Sequence, residues 1–324
     1  MAELEDWAFP DELQPNPDDF DFGLEEALDS LVLVRSEIPE DAFTAPILGT
    51  ERAGNGIVIR EDGLVLTIGY LITEASAIWL TTNGGQAVAG HPLAYDQATG
   101  FGLIQPLGRL DLPPLRRGST ASCRVGDEVV VAGQGGLAHA LKAKIIAKRE
   151  FAGYWEYVLD EAVYTAPAHP QWGGAALIDD MGRLLGIGSL LVQESISNRV
   201  VQGNMIVPID LLAPILEDMA KLGRANRPAR PWLGLYATEV GGHVAIAGLS
   251  PAGPAARAQV HVGDIVLEVD GERVTGLADF FRKIWQLGSA GVDVPITISR
   301  DGEPVRVSVR SADRQEFLKK PHLH

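Results

Sequence analysis

Few side chains in this 324-residue chain have the type and spacing to act as nucleophile, general base or metal ligand. The candidates are the imidazoles of His91, His139 and His169, the hydroxyls of Ser119, Ser122 and Ser189, and the thiol of Cys123. A metal centre needs several ligands at short, recurrent spacings, and no second histidine or paired carboxylate stands at such a spacing from His169. No metal and no other cofactor is therefore expected. Cys123 is the only cysteine, so an internal disulfide is excluded, and it reads as an ordinary small residue ahead of a strand. His169 reads as structural.

The elements that would position these groups are mainly strands. Between Leu31 and Val207 short β-rich runs recur, at Gly56 to Arg60, Leu64 to Thr67, Ala77 to Thr81, Glu128 to Ala132, Tyr157 to Leu159, Leu184 to Ser189 and Val200 to Ile206. Turn signals such as Asp62-Gly63, Asn83-Gly84-Gly85 and Asp180-Met181-Gly182 separate them, which predicts sandwiches or barrels. From Pro208 to Leu222 the apolar residues Ile209, Leu212, Ile215, Leu216 and Met219 recur at helical spacing, and Gly223 follows as a stop. The reading is an acidic arm over 1–30, an all-β domain over 31–223, a Pro- and Arg-rich linker over 224–231, a second domain over 232–311 and a tail over 312–324. The second domain is predicted to run strand, strand, short helix (Pro254 to Ala258), strand, helix (Leu277 to Leu287), strand, strand.

Charge is unevenly placed. Eleven acidic residues precede Arg35, the first basic one, so most of the formal net charge of −16 sits in the arm and the body is only mildly acidic. A nucleic acid partner is not expected of such a body. With Pro10, Pro15 and Pro17 among its acids, the arm reads as mobile, although Phe9, Phe20 and Phe22 would suit a docking segment. No apolar run approaches the roughly 18 residues of a membrane span. No basic region leading into an apolar stretch follows Met1, so the expected location is cytoplasmic, or periplasmic if the start is truncated.

The run Gly248-Leu249-Ser250-Pro251-Ala252-Gly253-Pro254-Ala255-Ala256, followed by Val262-Gly263-Asp264-Ile265-Val266-Leu267-Glu268-Val269-Asp270-Gly271, resembles a bacterial PDZ domain. Such a domain takes a peptide as an added strand and holds its terminal carboxylate on backbone N–H groups. The resemblance places that loop at Trp232-Leu233-Gly234-Leu235, where Gly234 lets the backbone approach a ligand. It also makes Phe281 a candidate lining residue. The predicted partners are peptides or protein C-termini.

The order of all-β domain, closing helix, Pro231-Trp232-Leu233-Gly234 junction and PDZ domain resembles the HtrA family of serine proteases over about Leu31 to Ser311. The resemblance implies a mainly β architecture, a chymotrypsin-like double β-barrel followed by an α+β PDZ domain, with trimerisation and protein quality control as family traits. It also locates the catalytic positions. Three residues after Thr67, at the place of the family's histidine, stands Tyr70, a phenol with a pKa near 10 and a poor base. Asp96-Gln97-Ala98-Thr99-Gly100 resembles the stretch carrying the catalytic aspartate, whose own place falls on Gly100. His169-Pro170-Gln171-Trp172-Gly173-Gly174-Ala175-Ala176-Leu177 resembles the nucleophile segment, with Gly173 at the serine and Gln171 at the glycine of the oxyanion turn. The expectation is a pseudoprotease with no retained triad residue. The alternatives are a non-catalytic subunit that co-assembles with an active HtrA-type protease, or a serine-type endopeptidase with a relocated nucleophile.

Overall fold

A computed structural model describes residues 7–196 and 199–320 of the chain. They divide into two compact units. The first runs to Arg149, continues over Glu161–Asn226 and resumes at Lys319, and the second comprises Glu150–Asp160 and Arg227–Leu318.

The first unit is built on two closed six-stranded barrels. Strands β1 (Leu31–Glu37), β2 (Glu51–Val58), β3 (Val65–Ile68), β4 (Ala77–Thr82), β5 (Ala87–Tyr95) and β6 (Phe101–Pro106) close in the order β1-β2-β3-β6-β5-β4. Strands β7 (Glu128–Ala132), β8 (Ala140–Gly153), β9 (Tyr157–Ala166), β10 (Ala176–Ile178), β11 (Leu184–Ile196) and β12 (Arg199–Pro208) close as β10-β11-β12-β9-β8-β7. In the second barrel Val129 and Val131, and Ala143 and Ile145, alternate into one core with Val163, Leu177, Leu185 and Ile206. That two-residue period is the pleat of a strand with one face in the core.

Two readings of the sequence are corrected here. The first is the mobile arm, of which residues 1–6 lie outside the described residues. From Trp7 onward the segment packs on the first unit: Phe9 N–H donates to the Ala138 carbonyl, Lys142 N–H donates to that of Leu13, and Trp7 stacks on His139 at 4.3 Å. Helix α1 (Leu24–Leu28) then buries Leu24 and Leu28. Among the described residues of the arm the acids are exposed, Leu24 and Leu28 are buried, and Trp7, Phe9, Phe20 and Phe22 are half-buried. The second is the helix expected from Pro208 to Leu222. After the short α2 (Ala45–Leu48), the next α-helix is α3 (Leu216–Leu222), preceded by a separate 3-10 turn at Ile209–Leu211. Pro214 lacks the N–H and the clearance that a continuous helix needs. Gly223 ends α3 in the left-handed conformation, its N–H on the Met219 carbonyl.

In the second unit the sheet order is β13 (Leu235–Val240), β14 (His243–Leu249), β15 (Ile265–Val269), β17 (Asp293–Arg300) and β18 (Glu303–Arg310), with β16 (Glu272–Arg273) paired to β15. Helix α4 is Pro254–Arg257, and α5 is Leu277–Gln286. Leu277, Phe280, Phe281 and Ile284 make the buried face of α5. They pack with Leu233, Leu235, Ile246, Val266 and Ile296 in one core. Strand β13 is the sheet's edge beside α5, and Glu239 on β13 accepts the Leu277 N–H at the start of that helix.

Candidate functional site

Two places bring together the residues singled out by sequence. In the first unit, the 3-10 turn Gly69–Leu71 follows β3 and carries Tyr70. It is fixed on three sides: Gly69 N–H donates to the Gly100 carbonyl at 2.7 Å, Thr73 Oγ1 donates to the Gly69 carbonyl, and the Arg52 guanidinium donates to the Tyr70 carbonyl at 2.7 Å. Gly100 and Tyr70 are thereby held on adjoining loops. From the second barrel comes Gly173, whose carbonyl accepts the Asn55 N–H at 2.8 Å and Asn55 Nδ2 at 3.3 Å. Tyr70, Gly100 and Gly173 thus lie in one neighbourhood.

The free space there is taken by the phenol. A Cβ built on Gly173 would lie 2.8 Å from Tyr70 Oη. That hydroxyl donates to the Ser189 carbonyl at 3.0 Å. Burial pushes the phenol still further above its ordinary range, so it stays neutral and works as a donor. The next residue is constrained too. Gly174 has φ +75°, and a Cβ there would sit 1.9 Å from the Asn55 carbonyl oxygen, which only glycine avoids.

His169 is fully buried beneath Trp7 and Phe9. Its Nδ1 accepts the Gln171 N–H at 3.1 Å, so the ring proton is on Nε2, which donates to the His139 carbonyl at 2.9 Å. Burial lowers its pKa to about 4. Both nitrogens are committed and the ring is neutral. The same bond consumes the amide of Gln171, the position that the sequence reading tied to an oxyanion turn. Ser119, Asp96 and Cys123 are engaged in ordinary structure. Ser119 and Thr120 bind Asp210, Asp96 accepts both the N–H and the hydroxyl of Thr99, and burial raises the Cys123 thiol away from its reactive thiolate form. Among the described residues no group of three His, Cys, Asp or Glu side chains is placed to hold a metal ion.

The second place is the loop entering β13. Gly234 has φ +72°, and its left-handed turn aims the N–H groups of Leu233, Gly234 and Leu235 at one point. At that point lies the carboxyl of Glu156: Leu233 N–H donates to Oε2 at 3.0 Å, and Gly234 and Leu235 N–H donate to Oε1 at 2.8 and 3.2 Å. Burial pushes this carboxyl up to about 7 against the three amides and the nearby charge of Arg314, which favour ionisation. The Trp232 N–H is used elsewhere, on the Ala312 carbonyl, and its ring lies 4.8 Å from that of Phe317. Phe281 is wholly buried in the core beside the loop. Sequence reasoning missed Glu156 altogether. It lies 78 residues before Gly234 and carries no local motif.

Residues 54–187 match the family of trypsin-like peptidase domains, and residues 231–310 match the PDZ domain family. A probable periplasmic serine endoprotease, DegP-like, of Halomonas elongata is 27% identical over 273 residues, covering 80% of this chain and 56% of that protein. The serine endoprotease DegS of Haemophilus influenzae is 25% identical over 271 residues, covering 81% of this chain and 77% of its own. This chain thus spans little more than half the length of the Halomonas relative. Among solved structures, the HtrA-type protease AlgW with a tripeptide superposes with a TM-score of 0.54 at 17% identity, covering 95% of this chain and 99% of that one. The serine endoprotease from Yersinia pestis gives 0.53 at 20% identity, covering 90% and 98%. At these identities the structural likeness speaks for the fold.

Proposed function

From a chain that is of the HtrA type, a trypsin-like double barrel joined to a PDZ domain, we propose a peptide-binding protein that does not cut what it binds. Its relatives are named serine endoproteases, so the reading is a departure from them. The observation that carries it is Tyr70: a neutral phenol, hydrogen-bonded to the Ser189 carbonyl, lies against the α-carbon of Gly173, where resemblance puts the nucleophile. Neither Gly100 nor Gly173 has a side chain to orient a base or to be acylated. The amide of Gln171 is bound to His169 and is not offered to an oxyanion. In a serine protease, loss of the triad removes on the order of a million-fold in rate, or roughly 8 kcal/mol of transition-state stabilisation.

Binding is assigned to the loop 233–235 and to β13, the terminal strand of its sheet, whose backbone groups suit an extended peptide with a free carboxylate. The cytoplasmic expectation finds no support among the relatives, whose names include periplasmic proteases, and a periplasmic setting is the better assignment. The test is incubation of the purified chain with a fluorophosphonate probe and with an unfolded casein substrate. No labelling and no cleavage above buffer is expected. Labelling that a single substitution abolishes would establish a relocated nucleophile and overturn the reading.

A further inference from the structure

The groove beside β13 is already filled, and by this chain. Residues 150–160, the tip of the β8–β9 hairpin, belong to the second unit. Its turn meets β13 through one backbone bond, from the Ala237 N–H to the Tyr154 carbonyl at 2.9 Å, while two residues later the Glu156 carboxyl fills the amide loop of 233–235. Val158 is buried in the same cluster as Leu233, Leu235 and Phe281. Tyr154 packs its ring against Tyr236 of β13 at 5.9 Å. On the other wall, Arg282 of α5 bridges Glu150 and Asp160, one on each arm of the hairpin. Glu156 itself takes φ +60°, a left-handed backbone that turns its side chain back into the loop.

We propose that Tyr154–Val158 is an internal ligand of the PDZ groove, standing in for a peptide C-terminus, and that an external peptide binds by displacing it. The Glu156 carboxyl takes the part of a terminal carboxylate, Tyr154 that of the residue two places before it, and Val158 that of the terminal side chain. The groove therefore selects C-termini with an aromatic residue two places from the end and an aliphatic residue at the end. This rests on the peptide-binding reading of the groove given above. Because the internal ligand is tethered, it competes at an effective concentration of order millimolar, which lowers the apparent affinity for any free peptide.

The experiment uses the full chain and its Glu156→Ala and Glu156→Gln variants. The probe is a fluorescein-labelled peptide, Phe-Ala-Gly-Tyr-Trp-Val, with a free C-terminus and, as control, with a C-terminal amide. The free peptide should bind Glu156→Ala at least tenfold more tightly than the parent, Glu156→Gln should fall between them, and the amidated peptide should bind each at least tenfold more weakly. Amide hydrogen exchange is measured alongside. The N–H groups of residues 233–235 and 237 should be protected in the parent and exchange at least tenfold faster in Glu156→Ala. Equal protection in parent and both variants, or equal peptide affinity within twofold, would overturn the internal ligand. Exchange that responds while no peptide binds any variant would uphold the occupancy by Glu156 and overturn the peptide-binding reading on which the competition rests.

Discussion

The barrel cleft and the PDZ groove are both filled by the chain's own residues, but by different chemistry. In the cleft the filling is a side chain of the barrel unit itself: Tyr70 is part of the fixed 3-10 turn, its hydroxyl is bonded to the Ser189 carbonyl, and Gly173 leaves the space it occupies. In the groove it is a docked hairpin, held by four backbone N–H donors, the Arg282 ion pairs and Val158. Removing the first means replacing a side chain of a fixed turn. Removing the second means releasing a turn and leaves the binding groups of the loop intact. A site whose function is carried by side chains disappears when those side chains change, whereas one built from backbone N–H groups survives any sequence that keeps its loop geometry.

The comparison breaks first at its most rigid point. Gly174→Ala would force a Cβ into the Asn55 carbonyl at a left-handed φ, and a loss of about 4 kcal/mol is expected in denaturant unfolding of the full chain. A loss below about 1 kcal/mol would mean that the seam between the barrels is looser than these contacts imply.

Acid should strike the barrels. The folded pKa of His169, about 4, lies below its ordinary 6.5, so the folded state resists the proton that the unfolded chain takes up. Its contribution is complete above pH 6.5, declines as the pH falls toward 4, and amounts to about 3 kcal/mol over that window. Urea unfolding of the parent and His169→Gln between pH 7 and 4 measures it, and the variant should show the shallower slope.

Base should loosen the groove. The Glu156 carboxyl is raised to about 7 when docked, so docking is strongest below its ordinary value of 4.5 and weakens as the pH rises through 7, with Arg314 the charged group that opposes the shift. The free-C-terminus probe should bind the parent about tenfold more tightly at pH 8 than at pH 5.5, or about 1.4 kcal/mol, and Glu156→Gln should show no such trend. A trend of opposite sign would mean that the three amides outweigh burial and that the docked carboxyl is ionised.

Much of the fold was legible because strands and turns are local. The alternation of Val129 and Val131, the Asp62-Gly63 and Asp180-Met181-Gly182 turns, and the Gly263-Asp264 and Asp270-Gly271 turns of the PDZ domain each follow from residues a few places apart. The α3 boundary was misjudged because the apolar period was given more weight than Pro214, whose steric demand is equally local. The docking of the arm was obscured by its charge, since Trp7 and Phe9 meet His139 and His169 only once the second barrel exists.

By itself, then, the sequence determined which residue types stand at each position: no nucleophile at Gly173, no acid at Gly100, a phenol at Tyr70, and a glycine at 234 able to turn three amides inward. What fills those places was decided by the tertiary structure alone. Contacts such as Tyr70 to Ser189 and Glu156 to Gly234 join residues 119 and 78 positions apart. No local periodicity encodes them, because they exist only after barrel closure and sheet formation have brought the distant segments within hydrogen-bonding reach.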